Sequence, residues 1–244
     1  MNLDIEDNLP ANRAALVALT ASVRAALPAG SQLSFATRLT TSKFAGSTDN
    51  FDYQGLSAHC DFFFLMGYDY DKGAVLAASD SPIAALNASV TSYLELGVPP
   101  RALVLGLPLF ATDYTCTSTA GHRCTKISPW QASIARRPLA GALGGTAFPG
   151  PSVAELLRRK AASGQPVAML WDDKQASSYF DYRDGNGTRH QVWLQDPRSI
   201  RARVQQIVVA RQLRGAGAFL GDFVDNGDSG GGKAKAIWQA LGPF

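Results

Sequence analysis

The chain has 244 residues, which suits one large domain or two small ones. Its net charge of +3 is too mild to indicate a nucleic acid or a membrane surface as a partner. No apolar run is long enough to span a bilayer, and the first ten residues lack both the basic and the apolar region of a signal peptide.

The first two thirds of the chain alternate between short apolar runs and helical patterns. The run at 61–70, "DFFFLMGYDY", is nearly all apolar, as expected of a strand buried on both faces of a parallel sheet. Such alternation predicts an α/β fold with a parallel sheet, open or closed into a barrel. Strands are predicted over 2–6, 32–39, 61–70 and 101–110, and helices over 11–27, just before Cys60, over 82–96 and over 152–162.

The pattern changes beyond residue 165. The runs "VAMLWDD", "SSYFDYR" and "RHQVWLQ" are strand-like, and "DGNG" at 184–187, between the last two, predicts a β-hairpin. A helix is predicted over 199–213, a strand over 215–221 and a closing helix over 233–241.

Three cysteines and two glycosylation sequons bear on the compartment. Cys116 and Cys124 lie close together in sequence across a polar loop and are predicted to form a disulfide, which leaves Cys60 unpaired. Asn87 and Asn186 begin Asn-x-Ser/Thr triplets and are predicted acceptors of N-linked glycans. Together these features favour a secretory route modestly.

The segment "NGDSGGGK" at 226–233 contains two misleading motifs. Its centre is similar to the stretch around the nucleophilic serine of chymotrypsin-like proteases, and "LSAHC" at 56–60 is similar to the stretch around their histidine. A chain of βα units is not the double β-barrel that such a triad needs. The segment also nearly fits a phosphate loop, but Ala234 stands where a Ser or Thr would hold magnesium. We interpret it as the loop between the last strand and the closing helix.

Polar residues alternate with apolar ones at the start of the chain. In "MNLDIE", Asn2, Asp4 and Glu6 alternate with Leu3 and Ile5. Residues two apart on a strand share a face and lie about 6.6 Å apart. The pattern therefore predicts three polar side chains on one face, with an edge strand that has one wet face as the alternative.

A second polar cluster ends the most apolar strand. Met66 and Tyr68 share a face, and Asp69 begins the following loop. Both clusters fall at the carboxyl ends of predicted parallel strands, which is where a barrel builds its active site. The alternative is a strand end with ordinary polar residues.

These motifs resemble glycoside hydrolase family 18, the chitinase-like (β/α)8 TIM barrels, and especially its chitobiase-type members. "NLDIE" matches the second half of the family's D-x-x-D-x-D-x-E motif, and Met66, Tyr68 and Asp69 match its M-x-Y-D motif. "LVLGLPLFATDYTC", "WDDKQASSYFDYRDGNGTRHQVWLQDPRSI" and "LRGAGAFLGDFVD" extend the resemblance over nearly the whole chain. The resemblance implies that residues 1–244 are a partial catalytic domain with about the last five barrel strands. It also implies a small β-hairpin insertion before the last strand.

The resemblance also implies a chemistry. Glu6 is expected to act as general acid and then as base, while Asp4, Tyr68 and Asp69 hold the acetamido group of the substrate. Asn2, Met66, Phe110 and Phe219 are expected to bind the sugar. The expected substrate is a β-1,4-linked N-acetylglucosamine oligosaccharide, with no metal or cofactor and no nucleic-acid or membrane partner. The full-length protein is expected to be a monomeric lysosomal or secreted enzyme. The alternative is a lectin that binds such sugars without cleaving them.

The sequence departs from the family pattern in two respects. Phe219 stands where the family usually has Trp, and "PLFATDYTC" has Leu109 in place of another Trp and lacks a hydroxyl at Phe110. The first half of the acidic motif and the three strands before it are absent. We therefore hypothesise that Met1 is an internal methionine of a longer protein. We also expect an open barrel of this kind, with strand edges at Leu3 and Phe219, to be poorly stable or inactive by itself.

Overall fold

The computed structural model describes residues 1–6, 10–41, 50–70, 74–128, 134–140, 150–224 and 231–242. Eleven strands and six α-helices lie in these ranges. The strands are β1 (Asn2–Asp4), β2 (Ser34–Thr37), β3 (Phe62–Met66), β4 (Leu103–Pro108), β5 (Phe110–Ala120), β6 (Arg123–Lys126), β7 (Ile134–Pro138), β8 (Leu170–Asp172), β9 (Ser177–Arg183), β10 (Arg189–Leu194) and β11 (Gly215–Phe219). The helices are α1 (Arg13–Ala26), α2 (Tyr53–Ser57), α3 (Ile83–Glu95), α4 (Val153–Ala162), α5 (Pro197–Arg203) and α6 (Gly231–Leu241).

Five strands form a curled parallel sheet in the order β1-β2-β3-β4-β11. Helices α1, α2 and α3 alternate with the first four strands, so the sheet is a half-barrel of the (β/α)8 type. This confirms the predicted fold class and the count of about five barrel strands. In β3, Phe63 and Leu65 are fully buried in the large hydrophobic core, whereas Phe64 and Met66 on the other face are only partly buried.

Glycines in the neighbouring strands make room for Phe64. A Cβ atom on Gly106 would lie 2.4 Å from the Phe64 ring, and one on Gly217 would lie 2.6 Å from it. No side chain fits at such distances, so β4 and β11 need glycine there. The "GLP" and "GAGAF" sequences of these strands follow from the aromatic side chain between them.

A second sheet is inserted between β4 and β11. It is antiparallel, in the order β6-β5-β10-β9-β8, and β7 also pairs with β5. The predicted hairpin is confirmed as β9 and β10, but the insertion is much larger than one hairpin. The stretch that contains Cys116 and Cys124 is itself a hairpin of β5 and β6. Its many Ser and Thr residues are typical of loops, yet they also suit the exposed end of a sheet.

Two predicted elements are divided in the structure. The apolar run at 101–110 is a barrel strand that ends at Pro108, and the chain then enters the second sheet at Phe110. Leu109 and Phe110 are both buried, so hydrophobicity alone gave no sign of the change of sheet. The helix predicted over 199–213 is α5, from Pro197 to Arg203, followed by a π-helix over Val204–Val209.

Helix starts follow local rules where the structure describes them. Ser152 caps α4 by accepting a hydrogen bond from the amide of Glu155, and Asp196 caps α5 by accepting one from the amide of Ser199. Pro197 occupies the first turn of α5, where its missing N–H costs nothing. None of the helices in the described ranges has both the length and the apolar character that a membrane crossing requires.

The cysteines pair as predicted. Cys116 and Cys124 form a disulfide with a Cα–Cα distance of 5.6 Å, and Cys60 is free. Burial, partly opposed by the charge of Arg24 and reinforced by that of Asp61, raises the pKa of the Cys60 thiol to about 11. Cys60 is therefore a weak nucleophile at neutral pH.

The two sequons lie in different environments. Asn186 is exposed in the turn between β9 and β10, where a glycan has room. Asn87 is half-buried within α3, and its amide oxygen accepts a hydrogen bond of 3.1 Å from Arg211. The hydroxyl of Ser89, the third residue of that sequon, is buried against the carbonyl of Leu39. Glycosylation stays a prediction at both positions, and the fold favours it only at Asn186.

Candidate active site

A cavity of about 620 Å³ opens at the carboxyl ends of the parallel strands. Its lining comes from four barrel strands or the residues directly after them, from the start of β5 and from β7. Three carboxylates, two guanidinium groups and four aromatic rings face it. This combination is typical of a cavity that binds a polar ligand with apolar faces. The lining residues are Asp4, Glu6, Arg38, Leu39, Thr40, Met66, Tyr68, Asp69, Tyr70, Phe110, Arg136 and Phe219.

The acidic strand behaves as its alternation predicted, except at its first polar residue. Asp4 and Glu6 line the cavity, while Leu3 and Ile5 pack against the hydrophobic core. Asn2 is not among the lining residues, and its side-chain oxygen accepts a hydrogen bond of 2.8 Å from the Ser34 hydroxyl. A role of Asn2 in sugar binding stays a prediction, and Asn2 does not line this cavity. Asn2 starts the strand, so it lies farther from the carboxyl edge where the cavity opens.

The chain turns sharply where β3 ends at the cavity. The amide of Gly67 donates a 2.9 Å hydrogen bond to the carbonyl of Gly106, and a Cβ atom on Gly67 would lie 2.2 Å from that oxygen. Glycine is therefore required at this position. The turn brings Tyr68 and Asp69 into the cavity beside Met66, and Asp69 has a φ of 67°, in the left-handed region.

Aromatic rings form one wall of the cavity. Tyr68 and Phe219 are stacked, with ring centroids 5.0 Å apart and planes 20° apart. Phe110 meets the edge of Tyr68 at 6.2 Å. Met66, Phe110 and Phe219 all line this cavity, and their expected role in sugar binding stays a prediction.

The phenol of Tyr68 is held in its protonated form. Burial raises its pKa first, and the negative charges of Asp69, Asp4 and Glu6 raise it further, while Arg136 opposes them. The phenol is therefore a hydrogen-bond donor at every physiological pH. Tyr68 and the three carboxylates line the same cavity.

Several cavity residues were not found from the sequence. Arg136 on β7 pairs with the carboxylate of Asp69, and its guanidinium lies 5.2 Å from the centre of the Phe110 ring. Arg38, Leu39 and Thr40 directly follow β2. Their place after a parallel strand was a usable signal, because active-site residues of barrels follow strands. Arg136 had no such signal, since it comes from the inserted sheet.

A buried polar cluster lies on the other side of β7. Asp113 is buried and accepts hydrogen bonds of 2.7 Å from both Arg137 and the Tyr182 hydroxyl. His190 lies 2.9 Å from the second Asp113 oxygen and 3.6 Å from Asp184, and its ring stacks on Tyr182. Burial opposes ionisation of Asp113, but His190, Arg137 and Tyr182 outweigh it and hold the pKa of Asp113 below its ordinary value.

The charge state of His190 makes this cluster sensitive to pH. Burial alone would lower the pKa of His190, but its hydrogen bond with Asp113 and the charges of Asp113 and Asp184 raise it above its ordinary value. A histidine whose pKa is raised by folding contributes its full stabilisation at a pH below its unfolded-state pKa of about 6.5. That stabilisation is lost as the pH rises through the folded-state pKa.

We therefore expect the difference in melting temperature between the wild-type protein and His190→Gln to be larger at pH 5.5 than at pH 8.5. Thermal melts across this range measure it, with His59→Gln as control because His59 forms no ion pair with any described carboxylate. A difference that does not change with pH would contradict a charged His190 in the folded state.

Comparison with known proteins identifies the chain. The sequence profile of glycosyl hydrolases family 18 matches residues 1–222. The chain belongs to glycosyl hydrolase family 18. Di-N-acetylchitobiase from Homo sapiens is 30% identical over 260 residues, which cover all of this chain and 63% of that protein. The enzyme of the same name from Rattus norvegicus is 29% identical and is covered over 66% of its length. The chain thus spans a little under two thirds of the length of these relatives.

Solved structures of chitinases share the fold. A class V chitinase mutant from Cycas revoluta, solved in complex with (GlcNAc)3, superimposes with a TM-score of 0.73 at 19% identity, over 99% of this chain and 67% of the other.

Within the described residues, no three His, Cys, Asp or Glu side chains are grouped as a metal site requires.

Proposed function

We propose that this family 18 protein is a glycosidase that hydrolyses β-1,4-linked N-acetylglucosamine oligosaccharides by substrate-assisted, retaining catalysis. The observation that carries the proposal is that Asp4, Glu6, Tyr68 and Asp69 line one cavity. The similarity of this chain's sequence to di-N-acetylchitobiases supports the substrate class. The plant chitinase of the same fold, solved in complex with (GlcNAc)3, also supports that substrate class.

The reaction needs one proton donor and one internal nucleophile. Glu6 protonates the glycosidic oxygen as the bond to the leaving sugar breaks. The carbonyl oxygen of the substrate's acetamido group attacks the anomeric carbon and forms an oxazolinium ion. A water molecule then opens this ion, and Glu6 accepts the proton of that water. The two displacements each invert the anomeric carbon, so its configuration is retained overall.

The other cavity residues orient the acetamido group. Asp4 accepts a hydrogen bond from its N–H and stabilises the positive charge that develops on the ring. The protonated phenol of Tyr68 donates to the acetamido oxygen, and Asp69, one residue farther along, holds the group in place. Phe219 provides an apolar floor that is smaller than the usual indole and has no N–H.

Chitotriose hydrolysis by the full-length protein tests the proposal. We expect cleavage of chitotriose, no cleavage of the fully de-N-acetylated trisaccharide, and a β-anomeric product at first detection by NMR. Cleavage of both sugars at similar rates, or an α-anomeric first product, would overturn the mechanism. Binding of chitotriose without cleavage would support the alternative, a chitinase-like lectin.

Arg136 is expected to contribute to catalysis through Asp69. Its guanidinium neutralises the Asp69 carboxylate and covers Phe110, both of which face the cavity. Both partners are partly exposed, so the effect is moderate. We expect Arg136→Met to lower kcat/KM for chitotriose by about three- to tenfold.

Arg198→Met is the matched control for Arg136→Met. Arg198 also stacks on an aromatic ring, that of Trp171 at 3.7 Å, but it does not line the cavity. Equal kinetic losses in the two variants would show that Arg136 has no specific role.

We also propose that the full-length protein acts as a monomer in the lysosome or outside the cell. The Cys116–Cys124 disulfide supports an oxidising compartment. We expect protein secreted by a eukaryotic host to carry a glycan at Asn186, seen as a mass decrease on deglycosylation that is smaller in Asn186→Gln. An equal mass decrease in both proteins would place the glycan elsewhere.

A further inference from the structure

A fully buried arginine lies behind the cavity. Arg203, the last residue of α5, is 0% exposed and is not a lining residue. Among the described residues, its guanidinium donates hydrogen bonds only to uncharged oxygens. The acceptors within 3.2 Å are the carbonyls of Ser81, Gln175, Ala176 and Ser199 and the hydroxyl of Ser177.

The stability of the fold does not explain why a guanidinium is buried here, because burying its charge costs free energy. Burial of Arg203, only partly offset by the charge of Asp196, lowers the pKa of the guanidinium to about 9. Packing would be served equally well by an apolar side chain, which carries no desolvation cost. Five donors in one plane instead fix the positions of several backbone segments at once.

One of these segments holds residues 67–70, which we call the catalytic turn because it carries Tyr68 and Asp69. Arg203 donates a 2.9 Å hydrogen bond to the carbonyl of Ser81, and the Ser81 hydroxyl donates one of 2.5 Å to the carbonyl of Gly67. The adjacent carbonyl of Asp80 accepts a 3.1 Å hydrogen bond from the amide of Tyr70. The chain is therefore held at Gly67 and at Tyr70, on either side of Tyr68 and Asp69.

The held stretch includes a strained residue. Asp69 adopts a left-handed φ of 67°, which residues other than glycine rarely adopt without support. We propose that Arg203 is a positioning residue for Tyr68 and Asp69, which acts by anchoring residues 79–81 beneath the catalytic turn. The proposal rests on the proposed function, because it assigns Arg203 a part in orienting the acetamido group.

The kinetic test uses Arg203→Lys in the full-length protein. Lysine keeps the charge but has three donors instead of five, so it cannot bind all the acceptors. We expect kcat for chitotriose to fall by about 10- to 100-fold with KM changed by less than about threefold. Arg201→Lys, at an exposed position of the same helix, is the matched control and should leave both unchanged.

A second genetic background separates positioning from general damage. In a Tyr68→Phe/Asp69→Asn protein, the groups to be positioned are already lost. We expect Arg203→Lys to lower kcat there by less than about threefold. The same loss in both backgrounds would overturn the proposal, since a merely structural effect acts alike in each.

Amide hydrogen exchange gives a result that does not depend on hydrolysis. We expect the amides of Gly67 and Tyr70 to exchange at least tenfold faster in Arg203→Lys, while amides of β2 stay protected. Unchanged exchange at both amides would overturn the proposal. A wild-type protein that fails to cleave chitotriose would overturn the proposed function, and exchange would still decide whether Arg203 anchors the turn.

Ser81→Ala extends the test if Arg203→Lys does not fold. This variant removes only the hydroxyl that holds Gly67. We expect a three- to tenfold lower kcat and faster exchange at Gly67. Ser57→Ala is the control, because the Ser57 hydroxyl donates an exposed hydrogen bond to the carbonyl of Gln54. A Ser81→Ala protein with wild-type kcat and exchange would overturn the proposal.

Discussion

Glu6→Gln is expected to lower kcat for chitotriose by about 10²- to 10⁴-fold while leaving its Kd within about threefold. Glutamine has the size of Glu6 and keeps one of its acceptor oxygens. It cannot deliver a proton to the glycosidic oxygen. The lost step is the proton transfer, so binding in the cavity should be nearly unaffected.

Steady-state kinetics and calorimetric titration of the full-length protein measure these two effects. Glu95→Gln, the same substitution at the exposed end of α3, is the control and should keep wild-type kcat. If Glu6→Gln kept kcat within tenfold of the wild-type value, Glu6 would not be the general acid, and the proposed mechanism would fail.

Asp113→Asn is expected to lower the free energy of unfolding by about 3–5 kcal/mol. The Arg137 side chain is only 11% exposed, and the carboxylate of Asp113 supplies its charge compensation. Asparagine leaves the buried guanidinium and His190 without that charge, while Tyr182 keeps only a neutral acceptor. The cost arises mainly from the uncompensated Arg137 guanidinium and not from lost volume, since His190 keeps Asp184 at 3.6 Å.

Thermal and urea unfolding measure the Asp113 effect, which corresponds to a melting temperature lower by roughly 6–20 °C. Asp173→Asn is the control, because Asp173 is exposed and accepts a hydrogen bond from Trp171 that asparagine also accepts. The double variant Asp113→Asn/Arg137→Met removes the buried cation too and should recover part of the loss. A loss below about 1 kcal/mol in Asp113→Asn would contradict a buried ionised cluster.

The two sides of β7 connect stability with the cavity. Arg136 faces Asp69 and the cavity, while its neighbour Arg137 faces Asp113 in the buried cluster. Consecutive residues of a strand point to opposite faces, so anchoring one arginine fixes the direction of the other. The buried cluster thereby sets where the cavity guanidinium lies, although none of its members was predicted to matter for function.

Local sequence patterns predicted most of the strands and helices of the parallel sheet and the two short motifs that meet at the cavity. Asp4 and Glu6 on one strand face, and Tyr68 and Asp69 after another strand, follow from residues close together in the chain. Their placement depends only on the period of a strand and on the rule that parallel strands open a site at their carboxyl ends. The same period grouped Asn2 with Asp4, although Asn2 does not line the cavity, because periodicity gives the face of a strand but not the depth.

Tertiary structure alone decided where charged side chains are buried and which of them meet. Asp113 lies 77 residues from His190 in the chain, and Arg203 lies 122 residues from Ser81. Sequence patterns assign charged residues to the surface, because an isolated charge is too costly to bury. Whether a partner compensates that cost depends on segments that only the fold brings together. The change of sheet at Leu109 and the entry of Arg136 into the cavity were decided in the same way, by contacts between distant segments that no local pattern records.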